Sequence, residues 1–299
     1  MKKKYKVLVL LANYNSSKYI INQLKSIQLQ RNCDITVNIV DDCSSDDGVE
    51  KIKKFKSINK NFKIRLLINN TNVGYAINFY NLITLADSKN FDYIAYSDHD
   101  DYFYANKFFS SVNALIQKKC DAISTPVVCF GQKNRILSQS PNQTKYDFLF
   151  EGAGQGCTFV MRAKPFEEFK NFSKKNHKII QHFYFHDWLT YIFFRAKGYK
   201  WLFHNNALTK YRIHNTNLVG NKFSIKGIQY RLSKLFNGWY YYQVLLASEI
   251  ACRIDSNIIS IKHINSLNLI ITLFFHSRRK YSERFISAIS IIFCKIFKN

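Results

Sequence analysis

Residues 6–15 read Lys-Val-Leu-Val-Leu-Leu-Ala-Asn-Tyr-Asn, an unbroken apolar run that stops abruptly at polar residues. A continuous apolar run is typical of a strand that is buried on both faces of a parallel sheet. Residues 35–40, 64–68 and 91–96 repeat this design. The first 100 residues therefore predict four strands of one parallel sheet.

Helical patterns separate these strands. Ile20, Leu24 and Ile27 recur at the spacing of one helix face, and residues 49–55 and 75–86 predict two further helices. The order β-α-β-α-β-α-β predicts an α/β fold with a doubly wound, mostly parallel sheet and helices on both faces. Ligands of such sheets bind beyond the carboxyl ends of the strands.

The second half of the chain is less regular. Strands are predicted at residues 122–130, 158–162 and 199–204, and a helix is predicted at residues 186–196. From residue 224 onward, only helical patterns are found. We expect one domain over residues 1–223, with halves 1–120 and 121–223, and a helical region over residues 224–299.

The chain has 299 residues and a formal net charge of +24. Residues 224–299 are the most basic part, with 11 Lys and Arg against three acids. This charge fits an anionic partner, which could be nucleic acid, a membrane surface or a substrate. Seven cysteines without a C-x-x-C pair favour a reduced compartment. No apolar run is long enough to predict a transmembrane helix.

Acidic residues cluster at two predicted strand ends. Three carboxylates stand within residues 98–101, Asp-His-Asp-Asp, and they repel one another unless a cation offsets them. Hard divalent cations take oxygen ligands and are often shared with substrate phosphates. The alternative is a solvated acidic turn, but a position at the carboxyl edge of the sheet favours metal binding. Asp41-Asp42 belongs either to the same site or to the start of the next helix.

The phosphate-binding motifs of two large classes are missing from the sequence. There is no G-x-G-x-x-G after the first strand and no G-x-x-x-x-G-K-[ST] anywhere, which excludes dinucleotide and P-loop sites. Two alternatives stay open. A nucleotidyltransferase would normally carry a basic, Gly-rich loop where residues 11–15 stand. A nucleic-acid-binding module would need a recognisable motif, which we do not find, and the acidic turn would repel its ligand.

A series of motifs resembles family 2 glycosyltransferases, and most closely bacterial surface-polysaccharide rhamnosyl- or galactosyltransferases. The motifs, in chain order, are A-N-Y-N (12–15), V-D-D-C-S-S-D (40–46), N-V-G-Y-A-I-N (72–78), S-D-H-D-D (97–101), G-C-T (156–158), H-D-W (186–188) and Y-R-I-H (211–214). The resemblance covers roughly residues 5–220. It implies a GT-A fold, an inverting reaction and a divalent metal, Mn²⁺ or Mg²⁺.

The resemblance also implies roles for individual residues. Those expected to bind the nucleotide sugar are Asn13, Tyr14, Asp42, Gly74, Asn78, Asp98 and Arg212. Those expected at the metal are Asp100 and His214, and the acceptor loop would contain Gly156, Cys157 and Thr158. Two positions depart from the pattern: Asn13 replaces the commoner Thr, and His99 stands where the nearest subset has Gln. Neither change removes a carboxylate, but the second bears on sugar choice.

Asp187 matches the catalytic base of the family. An acceptor hydroxyl is a poor nucleophile and needs a positioned base, and inversion needs only one. From the residues alone, a cap at the start of the helix at 188–196 is the simpler interpretation of Asp187. The resemblance favours catalysis.

The C-terminal segment has a basic, amphipathic pattern. Apolar side chains recur at helical spacing in Phe285, Ile289, Ile292, Phe293, Ile296 and Phe297, and Arg278-Arg279-Lys280 precede them. Such a helix is typical of an anionic membrane surface. A cap packed on the catalytic domain and a helix for a partner protein are the alternatives.

We therefore expect a metal-dependent, inverting hexosyltransferase. It would move a hexose or deoxyhexose from a UDP- or dTDP-sugar to a growing, lipid-linked glycan, as in lipopolysaccharide or capsule biosynthesis. We expect it in the cytoplasm, peripherally on the inner face of the cell membrane, without a nucleic-acid partner.

Overall fold

The computed structural model describes residues 4–131, 135–213, 233–235, 237–263 and 266–297. The chain divides into two compact units. Unit 1 comprises Met1–Gln139, Gly154–Gln181 and Tyr199–Arg212, and unit 2 comprises Ser140–Ala153, His182–Gly198 and Ile213–Asn299. The units alternate along the chain, whereas the domains expected above are contiguous. The limits at residues 120 and 223 therefore stay a prediction.

The strands form two sheets. In chain order they are β1 (Tyr5–Asn13), β2 (Cys33–Asp41), β3 (Lys63–Ile68), β4 (Tyr93–Asp98), β5 (Tyr102–Phe103), β6 (Ala122–Ser124), β7 (Val127–Gly131), β8 (Arg135–Leu137), β9 (Val160–Arg162), β10 (Trp201–Phe203) and β11 (Thr209–Ile213). The larger sheet has the order β10-β6-β9-β4-β1-β2-β3, and the smaller has the order β5-β11-β7-β8.

The α-helices, in chain order, are α1 (Ile20–Gln28), α2 (Gly48–Ile58), α3 (Tyr75–Leu85), α4 (Lys107–Gln117), α5 (Ala163–Lys175), α6 (His177–Ile180), α7 (His186–Ala196), α8 (Trp239–Ile254), α9 (Ser266–His276) and α10 (Tyr281–Phe297). Two short 3₁₀ turns lie at Asp147–Leu149 and Gly156–Thr158. Among the described residues, none of the helices has both the length and the apolar character needed to cross a membrane.

The α/β fold with a mostly parallel sheet is confirmed. β1 pairs in parallel with β2 and β4, whereas β9 runs antiparallel to β4 and β6. The five side chains of β1 from Val7 to Leu11 are fully buried. Burying each one contributes about 1.5–3 kcal/mol relative to leaving it in water, so β1 is the centre of the core.

The register of the central strands brings the predicted polar turns to one edge. Asn13 at the end of β1 pairs with Asp41 at the end of β2. On the other side of β1, Ala12 pairs with Asp98 at the end of β4. Because parallel strands share the direction of their carboxyl ends, the three turns that follow are neighbours.

The second half departs from the prediction at two strands. The strand expected at residues 122–130 is divided into β6 and β7, and Pro126, which has no N–H for a ladder, lies in the gap. The strand expected at residues 158–162 begins only at Val160, because residues 156–158 form a 3₁₀ turn. The sequence analysis also missed α5, although Phe166, Phe169 and Ser173 are buried at helical spacing.

Candidate functional site

The ends of β1 and β2 are joined by side-chain hydrogen bonds. Asn13 is buried, and its Nδ2 donates to Asp41 Oδ2 at 2.7 Å. Asp41 also accepts from the backbone N and the hydroxyl of Ser44, at 2.9 and 2.6 Å. Asp41 therefore fixes this turn, a role that the motif alone did not separate from that of Asp42. The Oδ1 of Asn13 is buried without a hydrogen-bonding partner.

Asp42 connects the turn after β2 to the loop before α3. Its Oδ1 accepts from Asn69 Nδ2 and from the backbone N of Val73, both at 2.9 Å. Its Oδ2 accepts from the backbone N of Gly74 at 2.9 Å. A carboxylate offers about four lone-pair sites, so about one stays available to a ligand. The predicted contact with the base remains a prediction.

Gly74 and Asn78 shape the same loop. Gly74 has a φ of 82°, a conformation that favours glycine, although a Cβ there would meet no atom within 4 Å. Asn78 is buried, with Nδ2 donating to the carbonyl of Val40 and Oδ1 accepting from Asn69, both at 3.1 Å. Both residues therefore hold the loop in place beside Asp42.

Tyr14 follows Asn13 directly and keeps 45% of its surface exposed. An exposed aromatic ring at the carboxyl edge of a sheet offers a face on which a planar base can stack. The stacking role agrees with the resemblance and stays a prediction.

The acidic turn after β4 meets the 3₁₀ turn at residues 156–158. Ligand atoms of Asp98, Asp101 and Cys157 lie within 4.8 Å of one another. Asp100, the metal ligand implied by the resemblance, is buried but does not belong to this group. Burial raises the pKa of the Cys157 thiol well above its usual range, so its sulfur is a poor ligand for a hard cation. The carboxylates of Asp98 and Asp101 are the better donors.

Asp101 is the most unusual carboxylate of the turn. It is fully buried; its Oδ1 accepts from the backbone N of Arg212 at 3.4 Å, and the thiol of Cys157, a weak donor, lies beside the carboxylate. Burial raises its pKa to about 7, and the nearby charge of Asp100 adds to the rise. Two carboxylates with ligand atoms within 4.8 Å of each other fit a divalent cation, so the residues present are compatible with the implied metal.

Lys107 is a residue that the sequence analysis missed. It begins α4, is fully buried, and its Nζ donates to the carbonyl of Cys157. The same Nζ lies 3.2 Å from the centre of the Phe103 ring, a cation–π arrangement. Burial lowers the pKa of Lys107 to about 7, although the charges of Asp101 and Asp98 act against this shift. A basic group is therefore buried close to the carboxylates of the acidic turn.

Arg212 lies beside the acidic turn, as its predicted role requires. Its Nε donates to the carbonyl of Asp100 at 3.0 Å. Its guanidinium lies 4.5 Å from the ring centre of Tyr19 and 4.4 Å from that of Phe130. The side chain is thus held between two rings. His214, predicted at the metal, lies outside the described residues.

The three residues of the predicted acceptor loop are buried. Gly156, Cys157 and Thr158 form a 3₁₀ turn, and the hydroxyl of Thr158 donates to the carbonyl of Gln155 at 2.7 Å. The side chains of Cys157 and Thr158 are buried within the turn, while Gln155 is partly exposed. An acceptor contact by the loop itself stays a prediction.

Asp187 lies in unit 2, in the first turn of α7. Its Oδ1 accepts from the backbone N of the next residue, Trp188, at 2.7 Å; the N-cap position is Phe185, and no side chain caps this helix. The indole of Trp188 donates to the carbonyl of Phe148 at 2.8 Å, which fixes the start of the helix. Asp187 keeps partial exposure, and its role as the catalytic base stays a prediction. The neighbouring His186 is buried, which lowers its pKa to about 3 and keeps it neutral.

The mostly parallel α/β sheet, with polar turns at its carboxyl edge, has the GT-A architecture. The profile of Glycosyl transferase family 2 matches residues 8–186. The chain belongs to this family. It is similar to the dTDP-rhamnosyl transferase RfbG of Shigella flexneri, with 35% identity over 237 residues that cover 78% of this chain and 82% of the relative. The chain is therefore a glycosyltransferase of the nucleotide-sugar class.

Solved structures with low sequence identity share the fold. S. aureus TarS 1-349 in complex with UDP-GlcNAc has a TM-score of 0.54 and 15% identity, covering 90% of this chain and 78% of that one. The mannosyltransferase PcManGT from Pyrobaculum calidifontis, in complex with GDP-Man and Mn²⁺, has a TM-score of 0.52 and 12% identity, covering 100% and 89%. At these identities the likeness shows the GT-A architecture alone.

Proposed function

We propose that the protein is a metal-dependent, inverting glycosyltransferase that uses a dTDP- or UDP-activated hexose or deoxyhexose. The observation that carries this proposal is the pair of carboxylates, Asp98 and Asp101, brought together at the end of β4. The dTDP-rhamnosyl transferase relative supports a deoxyhexose, and dTDP-rhamnose is the first donor to test.

The proposed metal is Mn²⁺ or Mg²⁺ held at the acidic turn. Asp98 and Asp101 supply the carboxylates that the structure brings together, and Asp100 is the ligand that the resemblance implies. When bound, such a cation neutralises charge on the diphosphate as the glycosidic bond breaks. Asp42, Gly74 and Tyr14 belong to the nucleotide side of the site.

The proposed general base is Asp187. Its carboxylate takes the proton of the acceptor hydroxyl as that oxygen attacks the anomeric carbon from the face opposite the nucleotide. One such displacement inverts the anomeric configuration. The hydrogen bond from the backbone N of Trp188 to Oδ1 orients the carboxylate in the first turn of α7.

The proposed acceptor is a growing, lipid-linked surface glycan, and the proposed location is the cytoplasmic face of the cell membrane. Bacterial surface-polysaccharide synthesis, such as that of lipopolysaccharide or capsule, is the setting that the resemblance favours. The exposed apolar helices of the C-terminal region support this part of the proposal.

A donor panel tests the proposal. The full chain is incubated with dTDP-rhamnose and with UDP- and GDP-sugars, and release of the nucleoside diphosphate is measured with Mn²⁺ and with EDTA. We expect release from dTDP- or UDP-sugars that EDTA abolishes. Full activity in EDTA contradicts the metal requirement, and no release from any donor contradicts the donor class.

Asp187→Asn tests the base. The amide keeps the size and an oxygen that can accept from Trp188, but it removes basicity. We expect kcat for transfer to fall by about 10²–10⁴ with little change in donor affinity. Thermal unfolding is the control: a variant with normal kcat and a lowered Tm shows that Asp187 only stabilises the helix start.

A further inference from the structure

The last two helices expose rows of large apolar side chains. We call these eight residues the hairpin face: on α9 they are Leu267, Ile270, Ile271 and Phe275, and on α10 they are Phe285, Ile286, Ile289 and Phe293. Within each helix they recur at three or four residues, which places them on one side. The rings of Phe274 and Phe285 have centres 6.2 Å apart, so the two rows are neighbours near the connecting turn.

Single exposed apolar residues are normal on protein surfaces and need no explanation. Leu29, Ile58, Leu85 and Ile136 are examples from unit 1, each on a different element and 60–69% exposed. The hairpin face differs because its members are contiguous on two packed helices. Contiguous patches of this kind mark binding surfaces.

The opposite sides of both helices are packed into unit 2. Leu269, Leu273 and Ile291 are buried there. The turn between the helices is also fixed, because Arg279 is buried and its guanidinium binds Asp147 Oδ2 at 2.8 Å and the carbonyl of Gly152 at 2.6 Å. The hairpin therefore presents its exposed rows in a fixed orientation.

We infer that the hairpin face is a contact surface for an anionic phospholipid bilayer, an inference that rests on the proposed function. Residues 266–297 carry five basic residues against one acid, Glu283; Lys280 is exposed and Lys295 is partly exposed. Apolar rows flanked by basic groups are what an interfacial helix needs. A second copy is a poor occupant, because each chain carries a net charge of +24.

The structure changes which residues contact lipid. The sequence analysis placed Arg278 and Arg279 in the basic surface, and this was wrong for Arg279, whose side chain is only 1% exposed. Arg278 is partly buried and pairs with Glu283 at 2.9 Å. The lipid-facing set is instead the apolar rows with Lys280 and Lys295.

The same network joins the hairpin face to the candidate base. Asp147, which holds Arg279, also accepts from Arg195 and Tyr191 of α7, at 2.8 and 2.6 Å. That helix begins with the turn that carries Asp187. The turn that holds the hairpin and the helix that carries Asp187 are therefore joined through Asp147.

Vesicle flotation tests the inference with full-length protein. The test variant carries Phe275→Ser, Phe285→Ser, Ile289→Ser and Phe293→Ser. The matched control carries Leu29→Ser, Ile58→Ser, Leu85→Ser and Ile136→Ser, which remove similarly exposed apolar groups from unit 1. The vesicles are phosphatidylcholine with about one third phosphatidylglycerol, at low and at high salt. We expect the test variant to lose about tenfold in binding and the control to bind as the wild type does.

Three outcomes overturn the inference. The first is that the wild type fails to float at low salt. The second is that the folded test variant floats as well as the wild type. The third is that the wild type is a dimer that does not float, whereas the test variant is a monomer. The last result would make the face a subunit interface. Donor hydrolysis is measured in parallel, so that failure of the proposed function, with no hydrolysis by the wild type, is distinguished from failure to bind vesicles.

A second measurement covers the case in which the test variant does not fold. Phe285→Trp places an indole on the hairpin face, and Ile58→Trp places one on unit 1. We expect vesicles to shift the emission of the first to shorter wavelength, and brominated phosphatidylcholine to quench it, with no change in the second. Equal behaviour of the two indoles overturns the inference.

Discussion

Asp147 in unit 2 and Asp101 in unit 1 are both fully buried, and their surroundings differ completely. Asp147 accepts from two guanidinium groups and one phenol, so both of its oxygens bind donors at 2.6–2.8 Å. Asp101 accepts one long backbone hydrogen bond, from Arg212 at 3.4 Å, and beside it lies only the weak thiol donor of Cys157. The nearest buried amine, that of Lys107, donates to a backbone carbonyl.

Asp147 is therefore a structural carboxylate, whereas Asp101 belongs to the proposed metal site. A buried charge is tolerated when it is paired and hydrogen-bonded, and otherwise it shifts its pKa. Asp147 is paired and hydrogen-bonded, and its contacts stabilise unit 2. For Asp101, burial and the charge of Asp100 raise the pKa to about 7. The following predictions test this contrast, beginning with the largest expected effect.

Arg279→Met should damage the paired region most. The change leaves Glu151 and one side of Asp147 without their cation in a buried site. Breaking a buried ion pair by removing one partner costs about 3–5 kcal/mol, a large part of the stability of a domain. Denaturant unfolding of the variant measures the loss.

Arg253→Met is the matched control for Arg279→Met. Arg253 pairs with Glu249 at 2.7 Å, but both side chains are about half exposed. Solvent screening limits such a helix pair to about 0.3–0.5 kcal/mol. Equal losses in the two variants would contradict the contrast between buried and exposed pairs.

Asp101→Asn should change the pH dependence of stability in metal-free buffer. The folded-state pKa of Asp101, about 7, lies above its unfolded value, so the protonated form is favoured by folding. That stabilisation is fully present below the unfolded pKa and is lost as the pH rises through about 7. The isosteric amide has no such dependence.

The measurement is the Tm of both proteins between pH 4 and pH 8. We expect the wild type to lose stability relative to Asp101→Asn as the pH rises across this window. Saturating Mn²⁺ should offset the loss in the wild type and not in the variant. Parallel Tm curves in metal-free buffer would show that Asp101 is not the strained carboxylate of the turn.

Much of the sheet could be predicted from the sequence because its signals are local. The apolar runs of β1 to β4 stand next to one another with clear polar ends, and β2 and β3 were right to within two residues at each end. The turn at residues 98–101 was recognised because three acids adjoin in the chain. α5 carried a local signal as well, in Phe166 and Phe169, which the sequence analysis overlooked.

Which acids are paired with a cation in the folded protein could not be predicted in this way. Asp147 meets Arg279 across 132 residues of chain, and Lys107 meets Cys157 across 50. Because the partners are so far apart in the chain, no local spacing or composition in a single sequence indicates either contact. Asp147 belongs to no sequence motif, whereas Asp98 to Asp101 do, so the sequence analysis singled out the acidic turn and missed the buried ion pair of Asp147.

Lys107→Met should cost less stability than Arg279→Met, and its effect is the most specific to the acidic turn. Methionine keeps the length and the apolar stem beside Phe103, but it leaves the carbonyl of Cys157 without its donor. An unsatisfied buried acceptor costs about 1–3 kcal/mol. Loss of the nearby positive charge should also strengthen Mn²⁺ binding by up to about tenfold.

Lys170→Met is the control that separates the two effects of Lys107→Met. Lys170 is also a buried lysine of unit 1; its Nζ donates to the carbonyl of Ala86 at 2.9 Å and pairs with Glu167 at 2.7 Å. Its removal should cost stability to a similar degree and leave the Mn²⁺ affinity unchanged, as measured by calorimetric titration. If both variants bind Mn²⁺ as the wild type does, Lys107 only supports the 3₁₀ turn. If Lys107→Met alone binds it more tightly, the amine and the cation act on the same two carboxylates, because only a charge close to Asp98 and Asp101 can change their affinity in that direction.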